Sequence, residues 1–270
     1  MCRFFDPSCR PFWGPRVSRR HAVYLLPLLA GCSAFGPQPE LSRYTPPPGV
    51  PTAGVIYIAN GAGDYRGLSE NMSTLVARSG APYEVETFVW SHGSRRVFAD
   101  QTDHENHLTE GGRLAAEIAA RRQCHPGQRV ALVSHSSGSA VVLAAAERLP
   151  PDSLDRIVLL APSVCKDYDL RPALRASRRG IDVFYSQWDW AVLGIGIGIV
   201  GTADRECRSA AGRYSFTPIT DTPADCALYR RLHQYPWEPG AKWTGNYGGH
   251  YGSIEPEFLR EYVLPRLVTP

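Results

Sequence analysis

The sequence predicts an α/β protein, with a mostly parallel central sheet, helices on both faces and a small or absent cap. Three observations predict it. Apolar runs of strand length alternate with longer segments of helical period. Such alternation needs right-handed crossovers, which bury a parallel sheet on both sides. Residues 52–270 suffice for one sizeable core and are short for two.

Taken in order, Val55-Ile56-Tyr57-Ile58-Ala59 reads as a strand, followed by a helix from about Leu68 to Ser79. Val85-Glu86-Thr87-Phe88-Val89 is the next strand, and Leu108 to Arg122 the next helix, with Leu114 and Ile118 on one side. Val130-Ala131-Leu132-Val133 leads through a serine-rich junction into the helix Ser139 to Glu147. Ile157-Val158-Leu159-Leu160 and Ile181-Asp182-Val183-Phe184-Tyr185 are buried-type strands, and a last helix runs from Ile254 to Leu264. Residues 161–180 alone separate those two strands, too few to build a large cap.

The junction Ser134-His135-Ser136-Ser137-Gly138 carries the most chemistry. A sharp strand-to-helix turn strains the residue at its apex, so the residues two before and two after must be small. Ser134 and Gly138 satisfy this, which makes Ser136 a candidate nucleophile; the plain alternative is a serine-rich helix cap. In parallel sheets the ligand site lies beyond the carboxyl ends of the strands. Other reactive residues follow strand ends here: the glycine-rich loop Asn60-Gly61-Ala62-Gly63-Asp64, and Asp189 in Ser186-Gln187-Trp188-Asp189. His250 sits in a glycine frame, Tyr247-Gly248-Gly249-His250-Tyr251-Gly252.

In the chain order Ser136, Asp189, His250, residues 52–270 resemble the α/β-hydrolase superfamily in motif order and strand rhythm. The resemblance implies that Ser136 is the nucleophile, His250 the general base and Asp189 the group orienting it. It implies an oxyanion hole from the N–H groups of Ser137 and Ala62, and no cofactor. Ser134 stands where glycine is commoner, and Asn60 where many members carry histidine. Serine at the apex disfavours the haloalkane and epoxide branches, which place aspartate there.

Competing residues stay open at this point. Asp204 is an alternative acid if the chain loops back. Asp182 lies inside a strand and reads as facing an edge or solvent. His233 lacks a glycine frame and reads as surface or packing. His92, His104 and His107 read as solvated loop histidines, and His135 as a packing residue.

The N-terminus reads as an export signal. Arg16, Arg19 and Arg20 precede the apolar run of residues 22–30, which is too short to span a bilayer. Leu29-Ala30-Gly31-Cys32 resembles the bacterial lipoprotein lipobox, which implies cleavage after residue 31 and lipidation of Cys32. The proline-rich stretch 32–51 reads as a tether. The predicted protein is therefore exported and held at a bacterial membrane surface by a lipid anchor. Residues 1–31 carry a net charge of +4; removing them from the formal +3 leaves −1, with no electrostatic footprint for nucleic acid.

Besides Cys32, the body holds Cys124, Cys165, Cys207 and Cys226, and nearness in sequence favours a Cys207–Cys226 bridge. Their spacing indicates no metal site. Gly194, Gly196 and Gly198 alternate with isoleucines that would share one face of an extended segment. That segment reads either as an apolar wall or lid near the site or, more commonly for such runs, as core. Residues 205–242 read as irregular sequence whose aromatics line or cover a cleft. The expected activity is hydrolysis of a small-molecule or lipid acyl ester through an acyl-enzyme. A non-catalytic surface lipoprotein using the same fold as a binding module is the alternative.

Overall fold

The computed structural model describes residues 43–269. The signal segment, Cys32 and most of the tether lie outside the described residues. Where the tether is described, Tyr44 exchanges both backbone hydrogen bonds with Val85, at 3.0 and 2.8 Å, along the sheet edge.

Among the described residues six strands form one sheet in the order β2-β1-β3-β4-β5-β6, and every neighbouring pair is parallel. They are β1 (Gly54–Ala59), β2 (Tyr83–Thr87), β3 (Arg129–His135), β4 (Arg156–Leu160), β5 (Ile181–Tyr185) and β6 (Leu232–Pro236). The helices between them are α1 (Gly67–Ser79), α2 (Val97–Thr102), α3 (His104–Cys124), α4 (Gly138–Ala146) and α5 (Arg171–Ala176). Side chains alternate along each strand, so β1 sends Val55 and Tyr57 into one apolar cluster and Ile56 and Ile58 into the other. Leu114 and Ile118 of α3 and Val141 of α4 cover the first face. Leu68, Met72 and Val76 of α1, with Phe258, Leu259 and Val263 of a helical stretch at residues 256–268, cover the second. Burial on both faces is why the central strands read as unbroken apolar runs.

β6 has no such run, since Leu-His-Gln-Tyr-Pro is an edge strand in which no residue is fully buried and His233 and Pro236 are exposed. Its register sets His233 opposite Asp182. Asp182 does not face solvent: it is fully buried, paired with Arg156, and bonded to His233 Nδ1 and Tyr235 Oη at 3.3 Å each. His104 and His107 lie within α3 rather than a loop, and His107 is fully buried between the carbonyls of Asp100 and Ala203, at 2.6 and 3.1 Å.

The expected Cys207–Cys226 bridge is not formed. Cys207 is bonded to Cys165, their Cα atoms 5.5 Å apart, while Cys226 is free and exposed on a short helix, Pro223–Tyr229. The reason is tertiary: Cys165 pairs with Ala210 in a short antiparallel bridge, which brings the 207–210 strand of chain beside it. The bridge closes a loop with a sequence separation of 42. Cys207→Ser is expected to lose about 4 kcal/mol in urea unfolding by the loop-entropy estimate. An unchanged midpoint would show that the loop is constrained without it.

Between β5 and β6 the chain makes its longest excursion, opening with a π-helical turn, Trp190–Gly196, that runs into α6 (Ile197–Val200). The segment is helical, not extended, because the Asp189 carboxylate accepts the Leu193 N–H at 3.2 Å and starts the turn. No described helix is long and apolar enough to cross a membrane.

Candidate active site

Ser136 sits between β3 and α4 with φ +54°, a left-handed conformation that costs a serine about 1–3 kcal/mol. Three backbone bonds hold it there. Its N–H donates to the Leu160 carbonyl at 3.0 Å, and its own carbonyl accepts from Ser139 at 3.1 Å and Ser163 at 3.2 Å. Gly138 is required by close approach: a Cβ would lie 2.5 Å from the carbonyl oxygens of both Ala59 and Asn60. Ser134 is fully buried, so a small side chain is tolerated at that position.

His250 arrives from the loop before residues 256–268. Gly248 has φ +86°, and any Cβ would crowd Trp237 and Ser186. Asn246 fastens this loop by accepting the Gly248 N–H at 2.9 Å, while its own carbonyl accepts from Trp237 Nε1 at 2.9 Å. Asp189, just past β5, is 2% exposed. Its Oδ2 lies 2.6 Å from His250 Nδ1, and His250 Nε2 lies 2.9 Å from Ser136 Oγ. The three residues named from the sequence therefore meet. Asp204 does not join them: it is buried elsewhere and accepts the Cys165 N–H at 2.9 Å.

With six parallel strands in this order and the strained serine at the end of β3, the architecture is settled. The fold is the α/β-hydrolase fold.

Ala62 lines the same cleft as Ser136 and His250. The N–H groups of Ala62 and Ser137 donate to no backbone carbonyl among the described residues. Two residues that sequence reading missed shape this loop. Asp100 of α2, fully buried, accepts the Gly63 N–H at 2.6 Å and the His92 N–H at 2.8 Å, tying the loop after β1 to the loop after β2. Trp90 Nε1 donates to the Asn60 carbonyl at 2.9 Å. Asn60 itself brackets Ser69, donating to its Oγ at 2.9 Å and accepting its N–H at 3.2 Å. No sequence motif announced Asp100, because its partners, the Gly63 and His92 N–H groups with the Ser91 hydroxyl and the His92 ring at 2.8 Å, lie on two loops brought to it only by folding.

His135 packs as expected and also holds the histidine loop. Its Nε2 donates to the His250 carbonyl at 3.0 Å, and the two rings lie 4.7 Å apart. Burial lowers its pKa to about 3, and the His250 charge acts in the same direction. It stays neutral when the unfolded chain, titrating near 6.5, binds a proton. The unfolded state is then favoured by acid, so stability falls as pH drops from 6.5 towards 3, by up to about 1.4 kcal/mol per unit. His107, also lowered by burial, adds to the same slope. Urea midpoints measured between pH 7 and pH 4 are expected to fall steadily; a flat profile would contradict the burial argument.

The cleft at Ser136 encloses about 300 Å³, with Val97 on one wall and Val192, Ile197 and Val200 on the other. The apolar segment after Asp189 thus borders the site, with Leu193 and Ile197 buried and Ile195 and Ile199 exposed. A second hollow of about 340 Å³ is lined by Asp189 together with Phe184, Tyr235 and Trp237. Among the described residues no group of His, Cys, Asp and Glu could hold a metal ion.

No protein-family model matches this chain, and no curated protein matches it in sequence. Among solved structures it is similar to a predicted CIB-like hydrolase from Thermoplasma acidophilum, at 15% identity and a TM-score of 0.47, over 80% of this chain and 87% of that one. It is also similar to an esterase from Pyrococcus furiosus, at 8% identity and a TM-score of 0.47, over 80% and 81%. A third is an α/β serine hydrolase without lid from Xanthomonas campestris, at 16% identity and a TM-score of 0.46, over 84% and 88%. The chemistry of the present chain rests on its own residues.

Proposed function

We propose that this protein is a serine hydrolase acting on acyl esters through an acyl-enzyme. The observation that carries the reading is the pair of hydrogen bonds on His250, 2.6 Å to Asp189 and 2.9 Å to Ser136. Ser136 Oγ attacks the ester carbonyl carbon and passes its proton to His250 Nε2. The charge that develops on the carbonyl oxygen is met by the N–H groups of Ser137 and Ala62. Collapse expels the alcohol, which takes the proton from His250 and leaves the acyl group on Ser136. Water then repeats the sequence and releases the acid. Asp189 holds the imidazole with its proton on Nδ1 and stabilises the imidazolium. The apolar walls of the cleft favour an acyl chain over a charged substrate. The chemistry needs no cofactor.

We also propose that Cys32 carries a lipid anchor, which the tetrapeptide Leu29-Ala30-Gly31-Cys32 supports. Cys32→Ser is expected to move the protein from the membrane to the soluble fraction, and retention would point to another anchor.

The hydrolase reading is tested with a fluorophosphonate probe and peptide mass mapping. The expected adduct lies on the peptide carrying Ser136. A folded protein that takes up no probe, or takes it up on another serine, would favour a binding module instead.

A further inference from the structure

Two helical segments flank the mouth of the Ser136 cleft, and both turn apolar side chains to water. α2 presents Val97 and Phe98, and Phe98 is 70% exposed. On the other side, Trp190, Ile195 and Ile199 are exposed, Ile199 again by 70%. The periodicity explains this: Leu193 and Ile197, four apart, are spent on the inward face, and Ile195 and Ile199, also four apart, fall on the outward one. The two segments form one surface. Gln101 Nε2 at the end of α2 donates to the Gly201 carbonyl at 3.2 Å, and Val97 and Val200 line the same cleft. A contiguous apolar rim around a site marks a surface that meets something.

The charges bordering this rim are mostly positive, with Asp103 after α2 paired to His92 at 3.2 Å. Arg95 and Arg96 lead directly into Val97 and are exposed. Arg205 donates to the Val200 carbonyl at 3.0 Å, and Arg208 to the Ile199 carbonyl at 3.0 Å, so both guanidinium groups are held against the apolar segment. None of the four makes an ion pair among the described residues. Glu206 is the exposed carboxylate in the same stretch.

We propose that this rim docks on an anionic lipid bilayer. Phe98, Ile195 and Ile199 would enter the acyl boundary while the four arginines meet the headgroup phosphates, with the Trp190 indole between the two layers. A second copy of the chain fits less well, because a two-fold contact would set the unpaired guanidinium groups against one another. In this orientation the cleft opens towards the lipid, so an acyl chain reaches Ser136 without crossing water. That last step rests on the hydrolase reading; the docking does not.

The test uses the full chain carrying Ser136→Ala, so that binding is read without turnover and a failure of docking stays separate from a failure of catalysis. Vesicles of phosphatidylcholine alone are compared with vesicles containing about one-third phosphatidylglycerol. Because the full chain also contains the apolar run of residues 22–30, the readout is local: quenching of tryptophan fluorescence by brominated lipid, with and without Trp190→Phe. Expected are quenching on anionic vesicles that Trp190→Phe largely removes, and binding that weakens about five-fold for each of Arg95→Gln, Arg96→Gln, Arg205→Gln and Arg208→Gln. Phe98→Ser with Ile199→Ser is expected to weaken binding further, and all six side chains are exposed, so folding is monitored by an unchanged Tm. Equal affinity for the two vesicles, or quenching indifferent to these substitutions, would overturn the proposal. So would a dimer on size exclusion that Phe98→Ser with Ile199→Ser dissociates, since the face would then belong to a second copy.

Discussion

Ser136→Ala is expected to lower kcat on a short-chain ester by on the order of 10⁶-fold while leaving Tm unchanged. The asymmetry follows from the contacts. The Ser136 hydroxyl is bonded to His250 Nε2, but the strained backbone at φ +54° is held by bonds from Ser139, Ser163 and Leu160 that involve only main-chain atoms of residue 136. Removing the hydroxyl deletes the proposed attacking atom and disturbs none of them. The measurement is steady-state turnover beside a thermal melt. Activity within about ten-fold of the parent would mean that another residue attacks, whatever the geometry.

Asp189→Asn is expected to lower kcat by about 10⁴-fold, and Asp204→Asn to leave it unchanged. The carboxylate at 189 accepts a proton-bearing Nδ1 at 2.6 Å. An amide can turn its NH₂ to that nitrogen, which forces the proton onto Nε2, and Nε2 can then no longer accept from Ser136. The amide oxygen can still receive the Leu193 N–H, so the start of the helical segment survives. Asp204 takes its bond from Cys165, so neutralising it acts on the loop near the disulfide and not on the imidazole. Loss of kcat in the Asp204 variant with a normal Asp189 variant would reverse the assignment.

The legible parts of this protein were those encoded by near neighbours. The apolar run at 181–185 matches β5 to the residue, and those of β1, β3 and β4 match their strands to within a few, because burial on both faces forces continuous apolar runs. The serine elbow was legible because a strained turn restricts residues 134 to 138 among themselves. The sequence pattern starts α3 four residues late, since His104 to His107 look polar. In the fold His107 is an inward-facing residue of that helix, with carbonyl partners from residues 100 and 203. β6 carries no legible apolar run because at the sheet edge none of its residues is fully buried. The segment at 190–200 misled in the opposite way: its alternating glycines suggested an extended chain, but the Asp189 side chain caps a helical turn there.

What the sequence by itself determined is the parallel α/β architecture and the short list of residues proposed for acyl chemistry, because both follow from periodicity and from steric limits within a few positions. Tertiary structure decided which of two carboxylates faces His250, which cysteine meets Cys207, and which apolar residues of the 190–200 segment face water. Those choices depend on where loops of tens of residues come to rest. That is governed by packing and by backbone hydrogen bonds to groups far away in the chain, such as Gly63 on Asp100, of which no local pattern keeps a trace.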